Sequence, residues 1–308
     1  MENEFKTTQV LAASITRAAS LQTAYTIRFL ADHELMHDAY QAYAYFRWVD
    51  DWIDQEARQK GERMTFVDRQ NALIRDLTHG IQPQTACPEE QLLVELIQNE
   101  KGNPQRGGLR SYIHNMMAVM TFDAERRGRL ISHNELDTYA RTLAVAVTEA
   151  MHYFIGHCCS SPHTEDRYLA VTGAHITHML RDTLDDNAAG YFNIPQEFLT
   201  ANSISPFDVK SDAYRAWVRS RVRLARDYFK SGRQYMAQVE NFRCRLAGYT
   251  YIARFEAVLD SIERDEYYLR AQYKECKTLV AGVRMGWSTL WSAINEKPQQ
   301  PRSGAITI

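Results

Sequence analysis

Apolar residues recur along this chain at steps of three and four, the period of one face of an α-helix. From Leu35 the series runs Ala39, Ala42, Phe46, Val49 and Ile53. Phe66, Leu73 and Leu77 mark a second helix over 64–80, stopped by Gly80 and Pro83. A third covers 89–98, and the Gly- and Pro-rich stretch 102–108 predicts a loop. Another helix spans 109–125, with Ser132 or Asn134 placed to cap a long apolar one over 135–156. After a polar loop at 159–165, a helix runs from 167 to about 189, where Gly190 would end it. Pro195 and Pro206, among several Ser and Asn, make 191–212 a connection. Helices resume at 212–240 and 243–275, with a shorter one over 278–294. No strand alternation competes, and no repeat of a solenoid period is visible. Residues 5–295 therefore read as one all-α domain, and 296–308, with Pro298, Pro301 and Gly304, as a disordered tail.

Composition sharpens this picture in three places. Only 14 Gly and 8 Pro interrupt 308 residues, so long helices are sustainable. A net charge of −2 gives no reason to expect a nucleic-acid partner. The five cysteines include no Cys-x-x-Cys pair, which excludes a zinc knuckle and fits free thiols in a reducing cytoplasm. No apolar run is long enough to span a membrane, so the expected location is cytoplasmic, with peripheral membrane contact left open.

The chemistry concentrates in two acidic clusters. In YAYFRWVDDWIDQ, residues 43–55, Asp50 and Asp54 are four apart and share a helix face with Phe46 and Tyr43. In HITHMLRDTLDDNAAGYFNIP, residues 175–195, Asp182 and Asp186 repeat that spacing. His175, His178 and Met179 lie on the same side, while Ile176, Leu180 and Leu184 form a separate apolar stripe. One such cluster is more often a solvated surface than a site. Two of them, each beside an arginine (Arg47 and Arg181), point to Mg²⁺, which takes one or two carboxylates plus substrate phosphates. The chemistry this favours is departure of diphosphate from an allylic carbon, shielded by apolar walls.

A competing pattern comes from Glu34-x-x-His37 and Glu149-x-x-His152, two Glu-x-x-His pairs of the kind found in helical di-iron proteins. Elsewhere the signals are weaker. Arg126, Arg127 and Arg129 read as a solvated loop, and Arg215, Arg219, Arg221, Arg223 and Arg226 as a salt-bridged helix face. Tyr267 and Tyr268 read as packing residues, and Trp287 and Trp291 as the docking side of the last helix.

The two clusters resemble the squalene/phytoene synthase family. YFRWVDDWID is similar to its Tyr-x-x-x-Arg-x-x-Asp-Asp-x-x-Asp pattern, and LRDTLDDNAAGYFNIP to its Arg-Asp-x-x-x-Asp-x-x-x-Gly-Arg-x-Tyr-x-Pro pattern. Their order and separation fit, as does the less specific YIARFEAVLDSIERDEYYLR near the C-terminus. The resemblance implies a class I isoprenoid-synthase-like bundle around a central apolar cavity. It implies that Asp50, Asp54, Asp182 and Asp186 bind Mg²⁺ and diphosphate, supported by Asp51 and Asp185. Arg47 and Arg181 would contact diphosphate or orient the acids, and Tyr139 and Asp123 would lie near the leaving group. Tyr43 would stabilise positive charge, and His175 and His178 stand where the family commonly has Gln and Asn. The implied reaction is head-to-head coupling of two prenyl diphosphates, C15 or C20, by a monomer or homodimer. NADPH would enter only if the product is reduced. Cyclisation, or transfer to another acceptor, is the alternative on the same fold.

The chain also departs from the family pattern. Tyr191 replaces the Arg after the motif glycine, and Asn193 replaces the following Tyr. The family's Val-Ala-Gly-x-Val-Gly reads Leu143-Ala144-Val145-Ala146-Val147-Thr148, so Val145 and Thr148 put bulk where two glycines are expected.

Overall fold

The computed structural model describes residues 2–100, 107–156, 159 and 161–273. Among these, all regular structure is helical. The order is α1 (Glu2–Ala19), α2 (Leu21–Leu30), a short 3-10 turn (His33–Leu35), α3 (Met36–Ile53), α4 (Lys60–Thr78) and α5 (Pro88–Glu100). There follow α6 (Gly107–Arg126), α7 (His133–Phe154), α8 (Asp166–Ala189), α9 (Gln196–Asn202), α10 (Asp212–Met236) and α11 (Phe242–Arg264).

The helices form where the apolar period lies. On α3, Ala39, Ala42, Phe46, Val49 and Ile53 are all buried, as their spacing predicts. Ser132, rather than Asn134, caps α7: its Oγ accepts the Glu135 amide, and the Glu135 carboxylate accepts the Ser132 amide. Gly190 ends α8 at φ +88°, a left-handed conformation open to glycine at no steric cost.

Three differences from the sequence reading have identifiable causes. The pair α1 and α2 was not foreseen, because Thr16 and Arg17 break the apolar run. Thr16 is nevertheless fully buried, its hydroxyl donating to the Ala12 carbonyl at 2.8 Å within the same helix, and Arg17 lies exposed. The connection 191–212 contains α9, a helix of two turns following Pro195. Helix α11 ends at Arg264, well short of 275, where Glu266 and Tyr267 take positive φ. The helix expected over 278–294, with Trp287 and Trp291, and the tail 296–308 lie outside the described residues.

Helix α7 runs antiparallel to both α6 and α8. Tyr139 is level with Asp123 and His175 at one end, and Glu149 is level with Arg167 towards the other. The C-terminal ends of α3, α6 and α8 and the start of α7 consequently meet at one end of the bundle.

Helix α8 is held closely against α10. A Cβ on Gly232 would stand 2.7 Å from the Ala170 Cβ, and one on Gly173 would stand 3.1 Å from the Ala225 carbonyl and from Phe229. Gly232→Val is therefore expected to destabilise the protein by ~1–3 kcal/mol, the usual cost of overpacking, read as a lower denaturation midpoint. An unchanged midpoint would mean that the two helices can slide apart freely.

Candidate active site

The first carboxylate pair sits on the last turn of α3. Asp54 is the C-cap residue, its amide bonded to the Asp50 carbonyl at 3.0 Å, which places its side chain one turn beyond Asp50. Arg47 lies 3.1 Å from Asp50 and also pairs with the exposed Asp51. The second pair occupies the last turns of α8. Arg181 forks both oxygens of Asp182, at 2.7 and 2.6 Å. His178 Nε2 lies 3.1 Å from Asp182. Asp185 is exposed, whereas Asp186 is half-buried and accepts the Asn193 amide at 2.8 Å.

Asp123 on α6 joins the two pairs. It accepts from Arg126 Nε at 2.6 Å and from the Tyr139 hydroxyl at 2.9 Å. Arg126 also donates to Asn193 at 3.0 Å and lies over the rings of Tyr139 and Tyr191, at 4.7 and 5.0 Å. Arg127 donates to the carbonyls of Ala189, at 3.0 Å, and of Asp54 and Gln55, each at 3.3 Å. One cation thereby satisfies carbonyls at the ends of both aspartate-bearing helices, where the helix dipole is negative. Tyr191 completes the link by donating its hydroxyl to Asp54 at 2.8 Å.

The electrostatics register this convergence. Burial, and then the Asp54 charge, push the Asp50 carboxyl up to about 7. Burial, and then the Asp182 charge, push Asp186 up to about 7. Burial raises Asp123 as well, against the pull of Arg126. The Asp123 charge bears on both Asp50 and Asp186, so the two pairs share one field. His175 is buried edge-on to the Tyr139 ring at 5.0 Å, and burial holds it neutral, at about 3. His178 is lowered too, first by the surrounding protein and then by the Arg181 charge.

This donor set fits Mg²⁺. Oxygen donors are what a hard dication takes, and the raised Asp50 and Asp186 carry a repulsion that a dication would relieve. Among the described residues, no three His, Cys, Asp or Glu side chains gather closely enough to hold a metal ion unaided.

The site also contains residues that the sequence reading missed. Arg126 is buried, not part of a solvated loop, and Arg127 is a strap between helix ends. Their signal was present as the position of Arg126 three residues after Asp123, on one helix face. Arg254 on α11 was not singled out. Burial and then the Arg181 charge lower its guanidinium, and it also feels Tyr43. The arginines of α10 form the expected ion pairs only in part: Arg226 pairs with Glu263 at 2.7 Å and Arg215 lies 3.9 Å from Asp212, whereas Arg219 and Arg221 lie over the rings of Tyr267 and Trp217.

The di-iron reading fails at Glu149. Its two oxygens accept from Arg167 at 2.8 and 3.2 Å, and one also accepts the Tyr168 hydroxyl at 3.0 Å. His152 is 3.1 Å from the Tyr235 hydroxyl, and burial lowers it to about 3. The pair is a structural buttress. A separate pocket of about 200 Å³, lined by Ile74, Leu77, Ile97, Arg110, Ile113 and others, shares no residue with the carboxylate pairs.

The sequence pattern defining the family described as Squalene/phytoene synthase matches residues 16–278, most of the chain. The chain belongs to the squalene/phytoene synthase family. It is accordingly a prenyl-diphosphate transferase of isoprenoid biosynthesis. Among solved structures, its fold is similar to squalene synthase HpnC from Alicyclobacillus acidocaldarius. That match has a TM-score of 0.66 and 19% identity, over 87% of this chain and 97% of the other. It is also similar to a dehydrosqualene synthase solved with a ligand, with a TM-score of 0.70 and 15% identity over 94% and 97%. No curated protein matches the chain in sequence. Within this family, positions 191 and 193 depart from the pattern, and both departures bond directly to a motif aspartate.

The pH dependence of stability follows from Asp50. A carboxyl raised in the fold binds its proton more tightly there than in the unfolded chain. Folded stability from this group is therefore lost as pH rises from about 4 through 7. Without divalent cations, Asp50→Asn should melt higher than the wild type at pH 8, by about 2–4 °C for ~1 kcal/mol in a chain of this size. The gap should close towards pH 4. A gap that widens on acidification would reverse the assigned sign.

Proposed function

We propose that this transferase couples two prenyl diphosphates, C15 or C20, head to head in a Mg²⁺-dependent reaction. The observation that carries the reading is the convergence of Asp50 and Asp54 with Asp182 and Asp186 around the shared Asp123. Family membership supports the substrate class.

Asp50, Asp54, Asp182 and Asp186 would hold Mg²⁺ against the substrate diphosphate. Bound there, the metal would screen the charge that builds on the leaving group. Arg47 fixes Asp50 and Asp51, and Arg181 fixes Asp182 through a two-point fork. Arg181 and Arg254 are neighbouring cations at the second pair, and a phosphate anion would relieve their repulsion. His178 stands beside them, 3.1 Å from Asp182.

Ionisation breaks the allylic C–O bond, with the electron pair leaving on diphosphate. The cation must then be kept from water until a second substrate's double bond captures it, closing a cyclopropane with loss of a proton. Tyr43, Met116 and Leu143, partly buried against the core of α3 and α6, would supply apolar walls for that role. Burial holds Tyr139 well above the ordinary phenol range, so it stays protonated while anchored to Asp123, and it places a neutral ring beside His175. No helix among the described residues is long and apolar enough to cross a membrane.

Two measurements test this reading. Asp50→Asn and Asp182→Asn should each lower turnover at least ~100-fold, in line with loss of a group that stabilises the leaving charge, with unchanged helical circular dichroism. Full activity in either variant removes the metal role. Mass spectrometry after incubation with C10, C15 or C20 diphosphate and Mg²⁺, with and without NADPH, should find a product of twice the substrate's carbon number. A product of the same carbon number would assign cyclisation or hydrolysis instead.

A further inference from the structure

We propose that Tyr191 and Asn193 are positioning residues, forming with Arg126 a clasp that fixes one carboxylate of each pair before the metal–diphosphate arrives. The inference rests on the reading of Asp54 and Asp186 as Mg²⁺–diphosphate ligands. It assigns work to two residues at which this chain departs from its family's pattern.

The geometry is reciprocal. Tyr191 donates its hydroxyl to Asp54 Oδ1 at 2.8 Å, and the Asn193 side-chain amide donates to Asp186 Oδ2 at 2.8 Å. The two residues are separated only by Phe192, so one short segment holds an acid from α3 and an acid from α8. Each donor occupies one carboxylate oxygen and leaves the other for a cation. Asn193 is suited to its place because an amide has both a donor and an acceptor arm. Its carbonyl oxygen accepts from Arg126 at 3.0 Å while its nitrogen holds Asp186. At 191 the chain carries no guanidinium of its own. Two come to it instead, with Arg126 and Arg127 lying 5.0 and 5.8 Å from the Tyr191 ring.

The segment has little slack. The Tyr191 amide donates to the Asp186 carbonyl at 2.8 Å, and the Gly128 amide donates to the Gly190 carbonyl at 2.8 Å. Arg127 bridges the carbonyls of Asp54, Gln55 and Ala189 from the other side. A Cβ at position 190 would stand 3.2 Å from the Gly128 nitrogen, on a backbone already at φ +88°. The separation of the two acids is thus set by a braced turn rather than by the incoming ion. Such preorganisation lowers the ordering that binding must otherwise impose.

Tyr191→Phe removes the hydroxyl and keeps the ring between the two arginines. The test is isothermal titration of inorganic diphosphate into protein with saturating Mg²⁺, together with thermal midpoints. The comparison is among wild type, Tyr191→Phe, Asn193→Leu, Asp54→Asn and the Tyr191→Phe/Asp54→Asn double variant.

Tyr191→Phe should weaken Mg²⁺–diphosphate binding about tenfold, the response to losing a hydrogen bond to a charged group, with its thermal midpoint nearly unchanged. Asn193→Leu should weaken binding comparably. In the Asp54→Asn background, the Tyr191→Phe effect should disappear, because Tyr191 acts through Asp54. With prenyl diphosphate, Tyr191→Phe should raise KM more than it lowers kcat. Wild-type affinity in Tyr191→Phe overturns the clasp, as does an undiminished tyrosine effect without Asp54. Failure of the wild type to bind Mg²⁺–diphosphate at all overturns the diphosphate reading itself, and the clasp with it.

Discussion

Gathering carboxylates into one partly buried cluster is costly, and most of the arrangement at this end of the bundle answers that cost. Burial first, and then the neighbouring acids, Asp54 for Asp50 and Asp182 for Asp186 with Asp123 acting on both, push these two carboxyls up to about 7. A protein could avoid the repulsion by spreading these acids over its surface. This chain concentrates them instead, and offsets the charge with arginines that are themselves tied in place: Arg47 to Asp50, Arg126 to Asp123 and Arg181 to Asp182. Under the proposed function, the residual imbalance is what a dication carrying an anion would relieve.

Antiparallel packing of α7 against α6 and α8 makes the concentration feasible. It brings Tyr139 level with Asp123 and with His175, so the middle of the site is lined by a neutral phenol and a neutral imidazole between the charged ends. The opposite end of the same helix carries Glu149 and Arg167, a buried pair satisfied by Tyr168 and Tyr235. The polarity of the aspartate cluster and that of the Glu149–Arg167 buttress thus sit at opposite ends of one long helix.

Much of this was legible in the sequence, because it rested on periodicity. The three- and four-residue steps of α3 and the four-residue spacing of both aspartate pairs are properties of a helix face, and a helix face is local. Gly190 and Ser132 were readable for the same reason. What escaped is non-local. Arg126 reads as part of a basic cluster until α7 brings Tyr139, and the turn after α8 brings Asn193 and Tyr191, against it. Arg254 stands out only once α11 packs beside α8 and sets it near Arg181. The Glu-x-x-His pairs failed for the converse reason: the local spacing was right, but a distant arginine had already claimed Glu149. Helix α1 was hidden by Thr16, a polar residue that satisfies its own hydroxyl and so behaves as filler.

The glycine contacts between α8 and α10 have a consequence for how the enzyme can diversify. With Gly232 against Ala170 and Gly173 against Ala225 and Phe229, this interface is tightly interlocked and has little side-chain volume left to trade. Added bulk is therefore better accommodated at positions such as Tyr43, Met116 and Leu143, which are only partly buried against the core. The α8–α10 contact is thus a fixed jaw that keeps those two helices in register.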